Sequence, residues 1–540
     1  MRESLRSLQN RYTEGDRTPL ENLVRAFRGI QRLPPTDPNS FHVIAGYHGQ
    51  PFRESAKFEH EANGDYWGGY CNHNNILFPT WHRAYLLRLE NALRSIAGCA
   101  EVTLPFWDEC FDRDADVQLP EILTSPTFPL DGDDNNPLYS YKFAYAVSDD
   151  AARDNLRWDK PAGYDTVRYP LSGLVGTPLD REATFLHNSA YTDPKTSASY
   201  LNSNIKAWLN GAPDITPDDP KNPTRTPAPS ETTSVVDRYQ KCLRAPSYTV
   251  FSNKLSADAY TKEQHLNTPQ GYTSLESPHN SIHLAVGGFY QRASYNANHI
   301  LGANGDMGEN ETAAFDPIFF LHHAFVDYTF WMWQKLRGKT AAGSLDLDTF
   351  ANRHPPFPGT FSTGLPGQQV FTELTLSSPL APFVKADGTA YVSLDVVDIV
   401  NQLGYDYGPG SLDQSLLMGS PEPATAFKIS HDINREQIAG SFVIRTYAYP
   451  KNREDLKVEI GREAILSRWS VARCANCQGK TEASSIVPIY PALIKALDKN
   501  GDGSNIEYHA ELTTRSGKPL FEGVGSAEVG RKIRVPVEDL

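Results

Sequence analysis

FDPIFFLHHAFVDYTFWMWQ, residues 315–334, reads as a helix with almost no side for water to touch. Asp316-Pro317 opens it: aspartate can cap, and proline is tolerated in a first helical turn. Apolar and aromatic residues then run nearly unbroken to Trp333, and a helix apolar on almost every face is a buried one. Two adjacent histidines, His322 and His323, stand in its middle. Burying imidazole costs free energy unless something binds its nitrogens. One buried histidine is usually a hydrogen-bonded core residue. Two in so apolar a helix point toward a metal and leave the rest of the chain to decide.

The chain has 540 residues, with 39% hydrophobic and 11% aromatic content, enough for a large interior and two or three domains. Its net charge of −14 and lack of a Lys/Arg block argue against nucleic acid and anionic membranes as partners. The first residues, MRESLRSLQNRYTEGD, carry no apolar run, and no stretch of about 18 apolar residues occurs, so a cytoplasmic protein without membrane spans is expected. Six cysteines (Cys71, Cys99, Cys110, Cys242, Cys474 and Cys477) are sparse for a disulfide scaffold and suit a reducing compartment. The fifteen histidines are more informative, because they cluster.

TPLENLVRAFRGIQRL (18–33) reads as an amphipathic helix stopped by Pro34-Pro35. In FHVIAGYHGQPF, His48 precedes a Gly and a Pro that would break a helix. A long helix is expected from Pro79, with Trp81, Leu86, Leu89, Leu93 and Ile96 as its apolar stripe; His82 lies in its first turn and His73 just before. VTLPFWDECF, from Val102, reads as a short buried segment. From about 111 to 270 the signal weakens, and runs such as DGDDNNP (131–137) and 212–233 read as surface loops inserted on a helical scaffold. SPHNSIHLAVGG then sets His279 and His283 four apart, on one helical face, with Gly287-Gly288 as the stop. YVSLDVVDIVNQLGYDYG (391–408) reads as partly helical. Alternating runs such as FKISHD and GSFVIRTYAY follow as strands. The expected architecture is a mainly α core (1–407), a linker (408–424) and a small C-terminal β-sandwich (425–540).

The histidines form two sets of three, His48, His73 and His82 before the middle region and His279, His283 and His323 after it. Neutral imidazoles without carboxylate or thiolate suit copper or zinc. Zinc hydrolases often add a carboxylate, and a three-histidine zinc site needs only one set. Two all-histidine sets suggest two coppers, each open toward the other, with dioxygen bound between them.

HNNILFPTWHRAYLLRLE, SPHNSIHLAVGG and DPIFFLHHAFVD resemble the two copper motifs of the tyrosinase and molluscan haemocyanin family, the type 3 copper proteins, over about residues 40–410. The resemblance implies that His48, His73 and His82 hold a first copper and His279, His283 and His323 a second. His322 is then a neighbour and not a ligand. It also implies a thioether between Cys71 and His73, a core closed by the tyrosine motif LGYDYG (403–408), and a water held by Glu276 and Asn280 that takes the proton of an incoming monophenol. Asp327, one turn after His323, could orient a ligand from behind.

The C-terminal stretch GREAILSRWSVARCANCQ resembles the lid domain of long tyrosinases, in which one side chain plugs the substrate pocket and keeps the enzyme latent. That residue is commonly aromatic; the position matched by offset is Ile465, with Leu466 and Trp469 as the other candidates. In such lids the Cys474/Cys477 pair is linked to copper loading; a disulfide is the bland alternative. DKNGDGSNIEYH (498–509) begins like a calcium loop, but His509 stands where a bidentate Glu belongs, so a hairpin turn is expected. His60, His187, His265 and His299 carry no motif. The function implied is oxidation of small phenols by two coppers and dioxygen. Catechol oxidation alone and an oxygen carrier are the alternatives, and a homo-oligomer is compatible with the sequence.

Overall fold

The computed structural model describes residues 1–49, 69–112, 115–148, 159–211, 233–265, 271–288, 302–348, 358–361, 372–412, 424–438, 440–468, 471, 477, 481–498, 501–514 and 532–540. Two helices open the chain, α1 (Leu5–Thr13) and α2 (Thr18–Arg32); α2 buries Leu20, Leu23, Val24, Phe27 and Ile30 along one stripe, as its periodicity predicts. A short α3 (Phe41–Gly46) follows. The long α4 (Phe78–Arg94) buries Trp81, Leu86, Leu89 and Leu93, while Ile96 lies just past its end.

The region from 111 to 270 departs from the loop reading. DGDDNNP belongs to a hairpin of β1 (Thr127–Leu130) and β2 (Asp133–Asn135), which Arg28 of α2 grips through the carbonyls of Phe128 and Leu130. Among the described residues five helices follow: α5 (Pro178–Asn188), α6 (Pro194–Asn210), α7 (Val235–Cys242), α8 (Tyr248–Ser252) and α9 (Lys254–Gln264). Three of them bury Ile205, Trp208, Tyr239, Tyr248 and Phe251 in the main core. Their caps are side-chain oxygens of Thr177, Asp193, Ser234, Ser247 and Asn253, each accepting from an amide of the first turn. Polar residues dilute their periodicity, and tertiary burial supplies what propensity does not. The loop expected at 212–233 lies, except for its last residue, outside the described residues.

α10 (Glu276–Gly287) and α11 (Ile318–Arg337) form the centre. Asp316 Oδ1 accepts from the Ile318 amide at 3.2 Å, and Gly338 (φ +66°) ends α11 in the left-handed conformation. Beyond it, β3 (Pro379–Val384) and β4 (Ala390–Val392) pair antiparallel. The partly helical reading of 391–408 reduces to one 3-10 turn, Ser393–Val396, because Tyr405 and Tyr407 are drawn across the core to Asp327.

From residue 426 the chain is β: β5 (Ala426–Asn434), β6 (Phe442–Pro450), β7 (Val458–Ile465), β8 (Glu482–Ile489), α12 (Pro491–Leu497), β9 (Ile506–Thr514), β10 (Lys532–Val535) and β11 (Glu538–Asp539). Two antiparallel sheets, β10-β9-β6-β7 and β11-β5-β8, enclose Ile433, Phe442, Ile444, Ile465 and Leu512. The described residues of the calcium-loop-like stretch lead from a helix to a strand and do not form the expected hairpin: Asp498 ends α12 and accepts from the Gly503 amide at 2.9 Å, and β9 begins at Ile506. Among the described residues no helix is long and apolar enough to cross a membrane.

Candidate metal centre

Four elements bring the six motif histidines to one point. His48 leaves the end of α3, and Gly69 (φ +68°) passes so close beneath it that a Cβ there would lie 2.6 Å from the His48 carbonyl oxygen. His82 projects from α4, His279 and His283 from one face of α10, and His323 from α11; His73 stands in the loop before α4. All are buried except His73, which is half-buried. In the first set the ring centroids of His48, His73 and His82 are 5.2–5.8 Å apart. In the second, those of His279, His283 and His323 are 4.6–5.7 Å apart. His82 stacks on His323 at 4.4 Å, joining the two sets.

The outer nitrogens fix the tautomers. Nδ1 of His48, His82 and His283 donates to the carbonyls of Asn310 (3.3 Å), Phe78 (2.8 Å) and Met307 (2.8 Å), and Nδ1 of His279 donates to Asn280 Oδ1 (2.9 Å). Met307 reaches His283 because Gly287 has no side chain: a Cβ would lie 2.1 Å from the Gly308 nitrogen. With Nδ1 protonated, Nε2 of these four rings turns a lone pair inward. Among the described residues Nε2 of His48 and His82 has no hydrogen-bond partner, and Nε2 of His279 lies 3.1 Å from that of His283 and 3.2 Å from that of His323. The lone pairs of His279 and His283, converging at that spacing, repel unless a cation sits between them. One metal ion with bonds of about 2 Å fits. Burial holds the rings neutral: His82 falls to about 3, and His48, His279, His283 and His323 lie well below the ordinary imidazole value. Neutral imidazole is the form that binds a metal, and the donor set suits copper.

Glu276 and Asn280 lie on the α10 face beside this cluster. Glu276 Oε1 accepts from the Asn74 amide at 2.7 Å and Oε2 from the Lys254 amide at 3.1 Å. Asn280 Nδ2 donates to the Ala464 carbonyl of β7 at 3.4 Å. A cleft outside His73 is lined by Glu276, Asn280, Arg435, Leu466 and Arg468, so the β-sandwich covers the site.

Three expectations change here. Asp327 reaches no histidine: its carboxylate takes Arg83 (2.5 Å), Arg2 (3.4 Å) and the hydroxyls of Tyr405 and Tyr407 (2.7 Å each), making it the ionic centre of the core. The carboxylate that does reach the cluster is Glu109, whose Oε1 lies 2.5 Å from His322 Nδ1. The acid pair Asp108-Glu109 inside the apolar run LPFWDECF is the available signal. Ile465 packs inside the sandwich and plugs nothing, because the strand alternation turns its side chain away from the core; Leu466 lines the cleft. Cys477 is disulfide-bonded, which favours the bland reading of its motif. Trp469 and Cys474, like His60 and His299, lie outside the described residues. His187 Nε2 donates to the Pro170 carbonyl at 2.8 Å, a structural role.

Two adjoining all-histidine sets under one cover define a dinuclear metal protein. Residues 38–336 match the family model described as the common central domain of tyrosinase. A tyrosinase of Hahella sp. is 44% identical over 517 residues, covering 92% of this chain and 90% of that one; a tyrosinase of Aspergillus oryzae is 38% identical, covering 95% and 93%. The solved tyrosinase of Burkholderia thailandensis at low pH superposes with a TM-score of 0.77 at 44% identity, covering 95% and 94%. The chain belongs to the tyrosinase family.

Proposed function

We propose that this protein is a tyrosinase, oxidising monophenols to o-diphenols and o-diphenols to o-quinones with dioxygen, and latent while its C-terminal lid covers the site. The observation that carries this is the imidazole cage, in which His279 and His283 each donate from Nδ1 to an outer acceptor and so face each other through bare Nε2 atoms 3.1 Å apart. In this reading His48, His73 and His82 hold one copper and His279, His283 and His323 the other. The bound metals supply dioxygen binding and the redox chemistry. The protein supplies geometry, proton transfer and access.

Glu276, its carboxylate fixed by two backbone amides, holds with Asn280 a water that takes the phenol proton. The thioether between Cys71 and His73 is supported by ligand atoms of His48, Cys71 and His73 that all lie within 4.8 Å of one another. A role for Cys474 and Cys477 in copper handling requires their thiolates, and so reduction of the disulfide at Cys477. The division into core (1–407), linker (408–424) and lid (425–540) belongs to the same reading, as do Leu466 as a plug candidate that lines the cleft and a cytoplasmic setting.

The test is oxygen uptake by the copper-loaded chain, its lid displaced, with a monophenol and separately with a catechol. Glu276→Gln is expected to lower monophenol turnover about 10²-fold and catechol turnover about threefold or less. Equal losses on both substrates would remove Glu276 from the proton path.

A further inference from the structure

Glu109 and His322 form a buried pair that the reaction does not use. The Trp107 amide donates to the Leu321 carbonyl at 3.0 Å, which lays the 102–110 segment along α11 and sets Glu109 opposite His322. Glu109 Oε1 meets His322 Nδ1 at 2.5 Å, and Oε2 accepts from the Tyr239 hydroxyl of α7 at 2.8 Å. Tyr239 is itself fixed edge-on against Phe325, one turn beyond His322, with centroids 5.1 Å apart. Both members of the pair are fully buried. The anchored His322 ring stacks on His279 (5.1 Å, 19°) and abuts His283 (5.1 Å) and His323 (5.0 Å), touching every member of the second set. Its Nε2 is buried without a hydrogen-bond partner, and ring nitrogens of His279, His283, His322 and His323 lie within 4.8 Å of one another.

We infer that Tyr239, Glu109 and His322 are a positioning chain for the second metal set: Glu109 locks the His322 ring, and that ring holds His279, His283 and His323 in their binding arrangement. In the first set the rings of His48 and His82 are fixed instead by backbone carbonyls. The chain therefore acts on one copper and not the other. This rests on the assignment of the two sets as copper sites.

The experiment is copper binding by the full chain in competition with a chromophoric copper(I) chelator, in two backgrounds. His82→Ala leaves the second set intact, and His283→Ala leaves the first. Glu109→Ala is expected to weaken binding about 10–100-fold in the His82→Ala background and to change it less than about threefold in the other. Glu109→Gln, whose amide oxygen can still accept from Nδ1, is expected to restore affinity to within about threefold. The copper-free melting temperature reports folding separately. Should Glu109→Ala not fold, Tyr239→Phe removes one hydroxyl and is expected to weaken the second set alone, by about 3–10-fold. Equal losses in both backgrounds, or none in either, would overturn the inference. Failure of the unsubstituted chain to bind copper would contradict the copper assignment instead.

Discussion

The two faces of α10 are held in opposite ways. Toward α4 and α11 it presents His279, Ile282, His283 and Val286 to a dry interior of Phe78, Phe319 and their neighbours. Toward the lid it is held by polar bonds: Ser277 donates to Glu463 at 3.0 Å and Asn280 to the Ala464 carbonyl, while Arg238 pairs with Glu463 at 3.1 Å and reaches the Arg462 carbonyl. Ser441 donates to the Gly308 carbonyl at 3.0 Å, and Arg468 lies 3.6 Å from Glu311. Val443 and Ala464 are the lid residues that join the main apolar core. Water can replace hydrogen bonds and ion pairs, but not apolar burial. The first face is built to stay closed and the second to be undone without melting the core.

The largest effect is expected at the centre of the dry side. Asp327→Ala strands the buried Arg2 and Arg83 guanidiniums and is expected to cost about 3–5 kcal/mol by chemical denaturation. A loss below about 1 kcal/mol would break the contrast. Next comes acid sensitivity. Burial lowers His42 to about 4, so it is neutral in the fold while the unfolded chain protonates it near 6.5. Its contribution is present in full above pH 6.5 and is lost as pH falls toward 4, at most about 3 kcal/mol. His42→Phe should flatten the fall in copper-free stability by that amount across this window; an unchanged slope would contradict neutral burial. The smallest effect is expected on the lid side. Glu463→Gln weakens the contact by about 1–2 kcal/mol, which should raise the activity of the untreated chain roughly tenfold and leave the core's melting temperature unmoved. A melting loss matching that of Asp327→Ala would merge the two faces into one.

How much of this was legible follows from range. The histidine motifs could be read because i,i+4 spacing and a continuous apolar helix are local signals, and α10 and α11 formed where that spacing placed them. The helices α5–α9 could not, since Trp208 and Tyr239 become apolar anchors only through partners distant in the chain. Asp327 was misassigned for the same reason. Its helical position relative to His323 says which residue is a turn away, not that Arg2, Arg83 and two tyrosines converge on its other side. The role of Glu109 has no local signature, because the contact that aims it, Trp107 to Leu321, spans more than two hundred residues. On the lid, the CxxC motif was visible, but strand alternation at the end of β7, which buries Ile465 and leaves Leu466 toward the site, was not.

The most direct test of a dicopper cage under a polar, removable lid is oxygen uptake with a monophenol. The copper-loaded full chain would be assayed before and after limited proteolysis between the core and the sandwich. Low uptake that rises at least tenfold after cleavage, with copper content unchanged, is the expected result. Uptake that is equally high before cleavage would contradict the lid. Uptake absent both before and after, with two coppers bound, would contradict the assignment of monophenol oxidation to this site.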